Sequence, residues 1–264
     1  YTIINLIIIP NTIYINGRFL TQAFSGVQRH AFELSRQLSL FDKYNFILLV
    51  PSKSSIRGEY SFPFNIKKIG NNKGHLWEQV DLPRYLKKKN NPLLINLTNS
   101  APIFYKNKVS TIHDLSVFEN NEWFSFKYRS FYRFLIPRII KTSKKILTDS
   151  YFSKEGIVEK YSIDTENINV IYCASYLENI DNLNKDIAED YLLFVGGSSK
   201  RKNLKNLINA FIELDDKNIK LKVVGANVNH LASDNINQYS NIEYIGDVSD
   251  NQLTNLYSNA RMLV

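Results

Sequence analysis

The residues best suited to chemistry lie in Phe194-Val-Gly-Gly-Ser-Ser-Lys-Arg-Lys-Asn203, where an apolar run passes into a small-residue turn and then a basic cluster. Gly196 and Gly197 let backbone amides approach an anion, and Arg201 with Lys202 supply charge-assisted hydrogen bonds. Asn203 is expected to cap the helix that follows, whose N-terminus adds positive potential. Such a turn is built to receive phosphate. The competing reading is an ordinary strand-to-helix turn with solvated basic residues, since short glycine-rich turns are common. The segment matches neither G-x-x-x-x-G-K-[ST] nor G-x-G-x-x-G.

His113 is a second candidate. It ends the apolar run Val109 to His113, at the carboxyl edge of an expected strand, where open α/β sheets bind ligands. Asp114 adjoins it. A histidine in that place serves structure or capping as readily as function. Gly26 and Val27 open an expected helix behind Ser25, an N-cap residue. The Asp215-Asp216 pair sits at an expected helix end, which reads as polar surface and not as a metal site.

These residues can act together only if a parallel sheet gathers them. Short strand-like runs, Ile13 to Asn16, Phe46 to Pro51, Leu93 to Leu97, Val109 to His113 and Lys145 to Thr148, alternate with helical patterns. That rhythm is the mark of βαβ units. The helices are amphipathic, with Val27, Phe32, Leu34 and Leu38 on one apolar side and Leu76, Val80, Leu82 and Leu86 on another. A second series opens at Tyr191 to Val195. It continues through a helix Leu204 to Leu214, strands Ile219 to Val224 and Ile242 to Ile245, and a helix Asn251 to Ser258. Between the series, Asn179, Asp181, Asn182, Asn184, Lys185 and Asp186 crowd together as an interdomain linker. The expected domains are residues 1–176 and 190–264, joined by a linker at 177–189. The second holds about half the strands of a doubly wound nucleotide-binding domain.

Several segments, in order, resemble the GT-B glycosyltransferases of the retaining family 4 type. Leu193-Phe-Val-Gly-Gly-Ser-Ser-Lys-Arg-Lys-Asn-Leu-Lys-Asn-Leu-Ile-Asn-Ala-Phe211 is similar to that family's FVG, short loop, RKN and helix. Ser25-Gly-Val-Gln-Arg29 resembles its N-domain glycine loop, and Thr111-Ile-His-Asp-Leu115 its HD segment. Leu147-Thr-Asp-Ser-Tyr-Phe-Ser153 is similar to the opening of the N-domain's last helix, and the stretch from Tyr244 to Tyr257 to the base-binding turn and the helix after it. The resemblance implies an α/β GT-B fold, two Rossmann-like domains facing each other across a cleft, with the second incomplete here. It further implies transfer of a hexose-type sugar from a GDP- or UDP-linked nucleotide-sugar to a surface-polysaccharide or lipid-linked glycan acceptor, with retention of configuration and with no cofactor or metal.

On that resemblance, Arg201 and Lys202, with Gly197, Gly26 and Val27, meet the donor diphosphate and stabilise its growing charge. His113 and Asp114 lie beside the reacting sugar. Gly225 leaves room beside the nucleotide, and Gly246, Asp247 and Val248 present groups to the base and ribose, with Leu253 packing on the base. No residue takes a nucleophile role, because the departing phosphate helps to deprotonate the acceptor. Gly197 stands where many relatives carry an Arg. The family's E-x7-E segment is expected a few residues beyond Val264. A sugar-nucleotide epimerase of the same architecture, and an inactive fragment, are the alternatives left open.

The stretch Phe126 to Lys145 interleaves basic residues with Tyr128, Phe131, Tyr132, Phe134 and Leu135, and Pro137 is expected to bend or end its helix. It reads either as a helix docked on the sheet with a solvated basic face, or as a membrane-surface contact through Lys127, Arg129 and Arg133. The whole chain of 264 residues carries 33 Lys and Arg against 25 Asp and Glu, a net +8 that favours an anionic partner. Nucleic acid is disfavoured: the basic residues are dispersed, and zinc-finger, homeodomain and RRM patterns are missing. The single Cys173 excludes an internal disulfide, and with 4 His it cannot build a Cys-rich zinc site. Tyr1 to Pro10 is too short to span a bilayer and lacks a basic n-region, so a strand is expected there. The expected location is the cytoplasm, peripheral on the inner face of the cytoplasmic membrane. Met262 is the only methionine, so residues are expected ahead of Tyr1.

Overall fold

The computed structural model describes residues 12–58, 62–175, 190–197, 199–225 and 239–264. The chain divides into two compact units between Ala174 and Ser175. The strand expected in residues 1–10 and the linker expected at 177–189 lie outside the described residues.

In the first unit the strands are β1 (Thr12–Asn16), β2 (Asn45–Pro51), β3 (Ile66–Ile69), β4 (Leu94–Asn96), β5 (Lys108–Thr111), β6 (Lys145–Thr148) and β7 (Ile168–Val170). They form one parallel sheet in the order β3-β2-β1-β4-β5-β6-β7. Such a sheet must be covered on both faces, which is why the inner strand β2, Asn-Phe-Ile-Leu-Leu-Val-Pro, is a near-continuous apolar run. Ile15, Leu48 and Val50 face the layer that holds Phe19, Leu20, Ala31 and Phe32. Their neighbours Tyr14 and Leu49 face the opposite layer, with Trp77, Leu82, Leu86 and Leu94, as the two-residue period of a strand dictates. The helices that cover it are α1 (Gly26–Leu38), the short α2 (Gly74–Leu76), α3 (Leu82–Lys87), α4 (Ser116–Glu119), α5 (Phe126–Thr142) and α6 (Tyr151–Tyr161).

The order of strands reverses between β1 and β4, because the chain winds outward to β3 and then returns past β1. In a doubly wound sheet that reversal leaves a crevice at the carboxyl ends of the two strands. Two strands escaped the sequence pattern: Ile66-Lys-Lys-Ile69 at the edge exposes both lysines, and Ile168-Asn-Val170 is too short to show a period. Pro137 neither ends nor breaks α5, which runs through to Thr142. Leu135, Ile136, Ile139 and Ile140 hold it in a core with Ile112, Ile146 and Ile157, and this packing overrides the local proline preference.

The second unit has β8 (Tyr191–Val195), β9 (Lys220–Val224), β10 (Ile242–Gly246) and β11 (Met262–Leu263) in the parallel order β10-β9-β8-β11. Helix α7 (Leu204–Leu214) buries Leu204, Ile208 and Phe211 against Phe194, Leu221, Val223 and Ile242. Helix α8 (Asp250–Asn259) covers the other face, with Leu253, Leu256 and Tyr257 against Tyr191, Leu193 and Val224. A capping box of Ser249 and Gln252 starts α8. Here the order reverses between β8 and β11, so the turn after β8 occupies the switch point.

Candidate functional site

Parallel pairing puts every strand's carboxyl end on one edge, and in the first unit that edge collects polar side chains. His113 follows β5 by two residues and is buried. Its backbone N–H donates to Asn99 Oδ1 at 2.8 Å, and its Nδ1 lies 2.8 Å from Oδ2 of Asp149, just past β6. Its Nε2 faces the Leu97 carbonyl oxygen at 3.3 Å. The ring of His30, from the first turns of α1, stands edge-on to it with centroids 4.9 Å apart. His113 is therefore an imidazole held between the segments that follow β4 and β6 and one helix.

His30 has its Nδ1 buried without a hydrogen-bond partner. Burial lowers its pKa and the neighbouring His113 lowers it further, against an opposing pull from Asp149. His30, Asp149 and Cys173 bring one ligand atom each to within 4.8 Å of one another. These are nitrogen, oxygen and sulfur donors of the kind a borderline-soft divalent ion accepts. The trio was invisible to the reading of Asp215-Asp216, because its members come from three distant points of the chain. Asp114 is occupied locally: its Oδ1 accepts from Ser116 N at 3.0 Å and Ser116 Oγ at 2.6 Å, opening α4.

A second group sits at the switch point itself. Asn16, the last residue of β1, donates through Nδ2 to Glu78 Oε1 at 2.7 Å and to Asn96 Oδ1, at the end of β4, at 3.1 Å. Arg18 Nε and Ser100 Oγ reach the same Glu78 oxygen at 3.1 and 3.0 Å, and Arg18 Nη2 bonds Ser100 Oγ at 2.7 Å. Burial alone would raise the pKa of Glu78, but Arg18, His75 and Asn16 outweigh it and hold the carboxyl at about 2. Glu78 is brought inward by a π-turn, Trp77–Asp81, in which Leu82 N bonds the Trp77 carbonyl. Pro83 follows and cannot donate to the carbonyl four residues back. Spacing showed none of this, since Asn16, Arg18, Glu78 and Ser100 form no local motif; the one available signal was a charged pair amid apolar runs.

In the second unit, three strands end in glycine at the same edge. Gly196 N bonds the Val224 carbonyl at 3.0 Å and Gly225 N bonds the Gly246 carbonyl at 2.8 Å. Gly225 and Gly246 have φ of +80° and +74°, a region that costs a side-chain-bearing residue strain. Beyond Gly197, where a Cβ would meet nothing within 4 Å, a tight turn at Lys200–Lys202 leads into α7. Arg201 and Lys202 are exposed and make no ion pair among the described residues. Asp247 is exposed, while Val248 and Leu253 spend their apolar surface against Tyr191, Leu193 and Val224. Two expected caps are corrected. Asn203 has φ of 56° and makes no side-chain cap, because a cap needs extended backbone there. Ser25 is extended, but its hydroxyl turns to the Gln28 side chain.

Gly26 is exposed and Val27 half-buried at the start of α1. Of the basic residues expected to face a membrane, Lys127 is exposed and Arg129 is half-buried. Arg133 is turned inward, donating to the Val117 carbonyl and Asn121 Oδ1, each at 2.9 Å. It fastens the loop after α4.

Comparison with known proteins agrees with this architecture. Over 187 residues the chain is 31% identical to the O-antigen chain mannosyltransferase RfbU of Salmonella typhimurium, covering 69% of this chain. It spans about half the length of that relative, 51%. Its fold superposes on the crystal structure of WaaG, a glycosyltransferase involved in lipopolysaccharide biosynthesis, with a TM-score of 0.70 at 15% identity, over 96% of this chain and 74% of that one. For Anabaena Alr3699/HepE in complex with UDP-glucose the TM-score is 0.66 at 13% identity, over 96% and 72%. Residues 176–264 match the family Glycosyl transferases group 1, in a chain whose parallel-sheet α/β fold is that of GT-B glycosyltransferase structures.

Proposed function

We propose that this chain is the donor-binding and acceptor-facing part of a retaining, metal-independent glycosyltransferase. It moves a hexose-type sugar from a GDP- or UDP-linked donor to a surface-polysaccharide or lipid-linked glycan. The observation that carries the reading is the second unit's switch point, where Gly196, Gly197, Gly225 and Gly246 clear the sheet edge and Arg201 with Lys202 stand at the entry to α7. The uncrowded Gly197, a helix start, and two cations that make no ion pair among the described residues together suit a diphosphate. The match of residues 176–264 to Glycosyl transferases group 1, the mannosyltransferase named as a relative and the UDP-glucose named with HepE all support it.

In this reading Arg201 and Lys202 neutralise the charge that builds as the glycosidic bond breaks. Gly225 leaves room for the nucleotide, and the backbone of Gly246 to Val248 meets its base. Titration of UDP and GDP into the full-length protein tests it. Arg201→Ala is expected to weaken the favoured nucleotide by roughly tenfold or more, with an unchanged thermal midpoint. Equal affinity in that variant removes the phosphate assignment.

The site of action proposed is the cytoplasmic face of the membrane. No helix among the described residues is long and apolar enough to cross one. Phe126 and Phe134 are exposed along α5, beside Lys127 and Arg138, a pattern that suits an interface. Co-sedimentation with anionic vesicles should exceed that with neutral ones, and equal partitioning dismisses the contact.

A further inference from the structure

We infer that His75, oriented by Glu78 at the switch point of the first unit, is a binding position for a carbohydrate hydroxyl, and that the glycan acceptor docks there. The inference rests on the glycosyltransferase reading for the identity of its ligand. Its geometry stands without that reading.

Glu78 is fully buried, and three donors, from Asn16, Arg18 and Ser100, converge on Oε1. Its other oxygen, Oε2, lies 3.2 Å from His75 Nδ1. A buried ion pair of this kind gives little net stability, and apolar residues of similar volume would serve the fold as well. What the network does provide is a rigid carboxylate aimed at one imidazole nitrogen. A carboxylate accepts, so the ring donates from Nδ1, and in the neutral ring that leaves Nε2 with a bare lone pair. The His75 side chain is 35% exposed, and Nε2 has no hydrogen-bond partner among the described residues.

The surroundings suit a sugar. The Phe131 ring lies 4.5 Å from the His75 ring and the Tyr132 ring 6.2 Å away, centroid to centroid. Leu76 beside it is 59% exposed. A pyranose presents hydroxyl donors around an apolar C–H face, and an acceptor lone pair beside the exposed Leu76 and the half-buried Phe131 and Tyr132 rings matches both. The place also agrees with fold logic, since Asn16 joins Glu78 to Asn96 across the β1–β4 reversal where such sheets bind ligands. Residues 97–100 tie this position to the first one: Ser100 bonds Glu78, while Leu97 and Asn99 hold His113.

Imidazole nitrogen NMR on the full-length protein tests the orientation first. His75 should appear as the Nδ1–H tautomer, and Glu78→Gln should abolish that preference. Methyl glycosides of mannose, galactose, rhamnose and N-acetylglucosamine are then titrated in turn. At least one should shift the His75 Nε2 resonance saturably, and His75→Ala should weaken its binding about tenfold, the worth of one hydrogen bond with its packing. If no glycoside moves His75, or if His75→Ala binds as the wild type does, the inference is overturned. UDP and GDP added to the same sample report separately through the Gly197 and Gly225 amides. Nucleotide shifts with a silent His75 overturn this inference alone, whereas glycoside shifts with silent glycines support it and overturn the donor reading.

Discussion

The Nδ1 atom of His113 lies 2.8 Å from the Asp149 carboxylate, although the two residues are 36 positions apart. The cause is strand register: Thr111 of β5 pairs with Leu147 of β6, and His113 and Asp149 each stand two residues further on. Asp149→Ala removes a charged partner from a buried ring. It is expected to cost about 1.5–3 kcal/mol, read as a lower urea midpoint at unchanged slope. An unchanged midpoint would mean that the pair contributes nothing to folding.

Arg18 and Glu78 should behave as a unit. Glu78→Ala strands a buried guanidinium and is expected to destabilise by roughly 3–5 kcal/mol. The double variant Arg18→Met, Glu78→Leu removes both charges and should recover most of that loss. A denaturation-derived double-mutant cycle measures the coupling, and additive losses would show the pair to be independent.

Lys108 is buried at the start of β5, its Nζ donating to the Tyr105 carbonyl and Thr142 Oγ1, each at 2.7 Å. Burial lowers its pKa from 10.5 to about 7. Between those values the unfolded chain holds a proton that the folded chain has released, so stability should rise with pH across that window. The gain is fully present above the unfolded value and lost as pH falls through the folded one. The slope from this one group approaches about 1.4 kcal/mol per pH unit. Lys108→Met should flatten it, visible as a difference between the two proteins' denaturation midpoints from neutral to alkaline pH. Parallel curves would place the proton elsewhere.

Gly225 has φ of +80°, and a Cβ there would stand 3.4 Å from the Gly196 carbonyl oxygen. Gly225→Ala should cost about 1–2 kcal/mol through backbone strain, read from the thermal midpoint. Gly197→Ala, with nothing within 4 Å of its Cβ, should be near neutral for stability. Equal losses at the two positions would contradict the geometry.

Local pattern carried much of the fold. Tyr191–Val195 and Leu204–Leu214 have the bounds read from periodicity, because a strand buried on both faces and a helix with one apolar side write their burial into neighbouring residues. Pattern missed β3 and β7, whose short runs hold too few apolar positions. It also overstated Pro137, where core packing decided the outcome. The glycines and basic residues after β8 were legible because they are contiguous.

The sequence alone determined that this chain alternates strand and helix, builds parallel sheets and places a glycine-rich basic turn at a strand end. Tertiary structure decided which side chains meet: Asp149 with His113, and Arg18, Asn16 and Ser100 with Glu78. The physical reason is that hydrophobic periodicity is a property of neighbours in the chain. Strand order and register bring together residues separated by 22 to 62 positions around Glu78, and their polar character shows nothing of their partners until the sheet is formed.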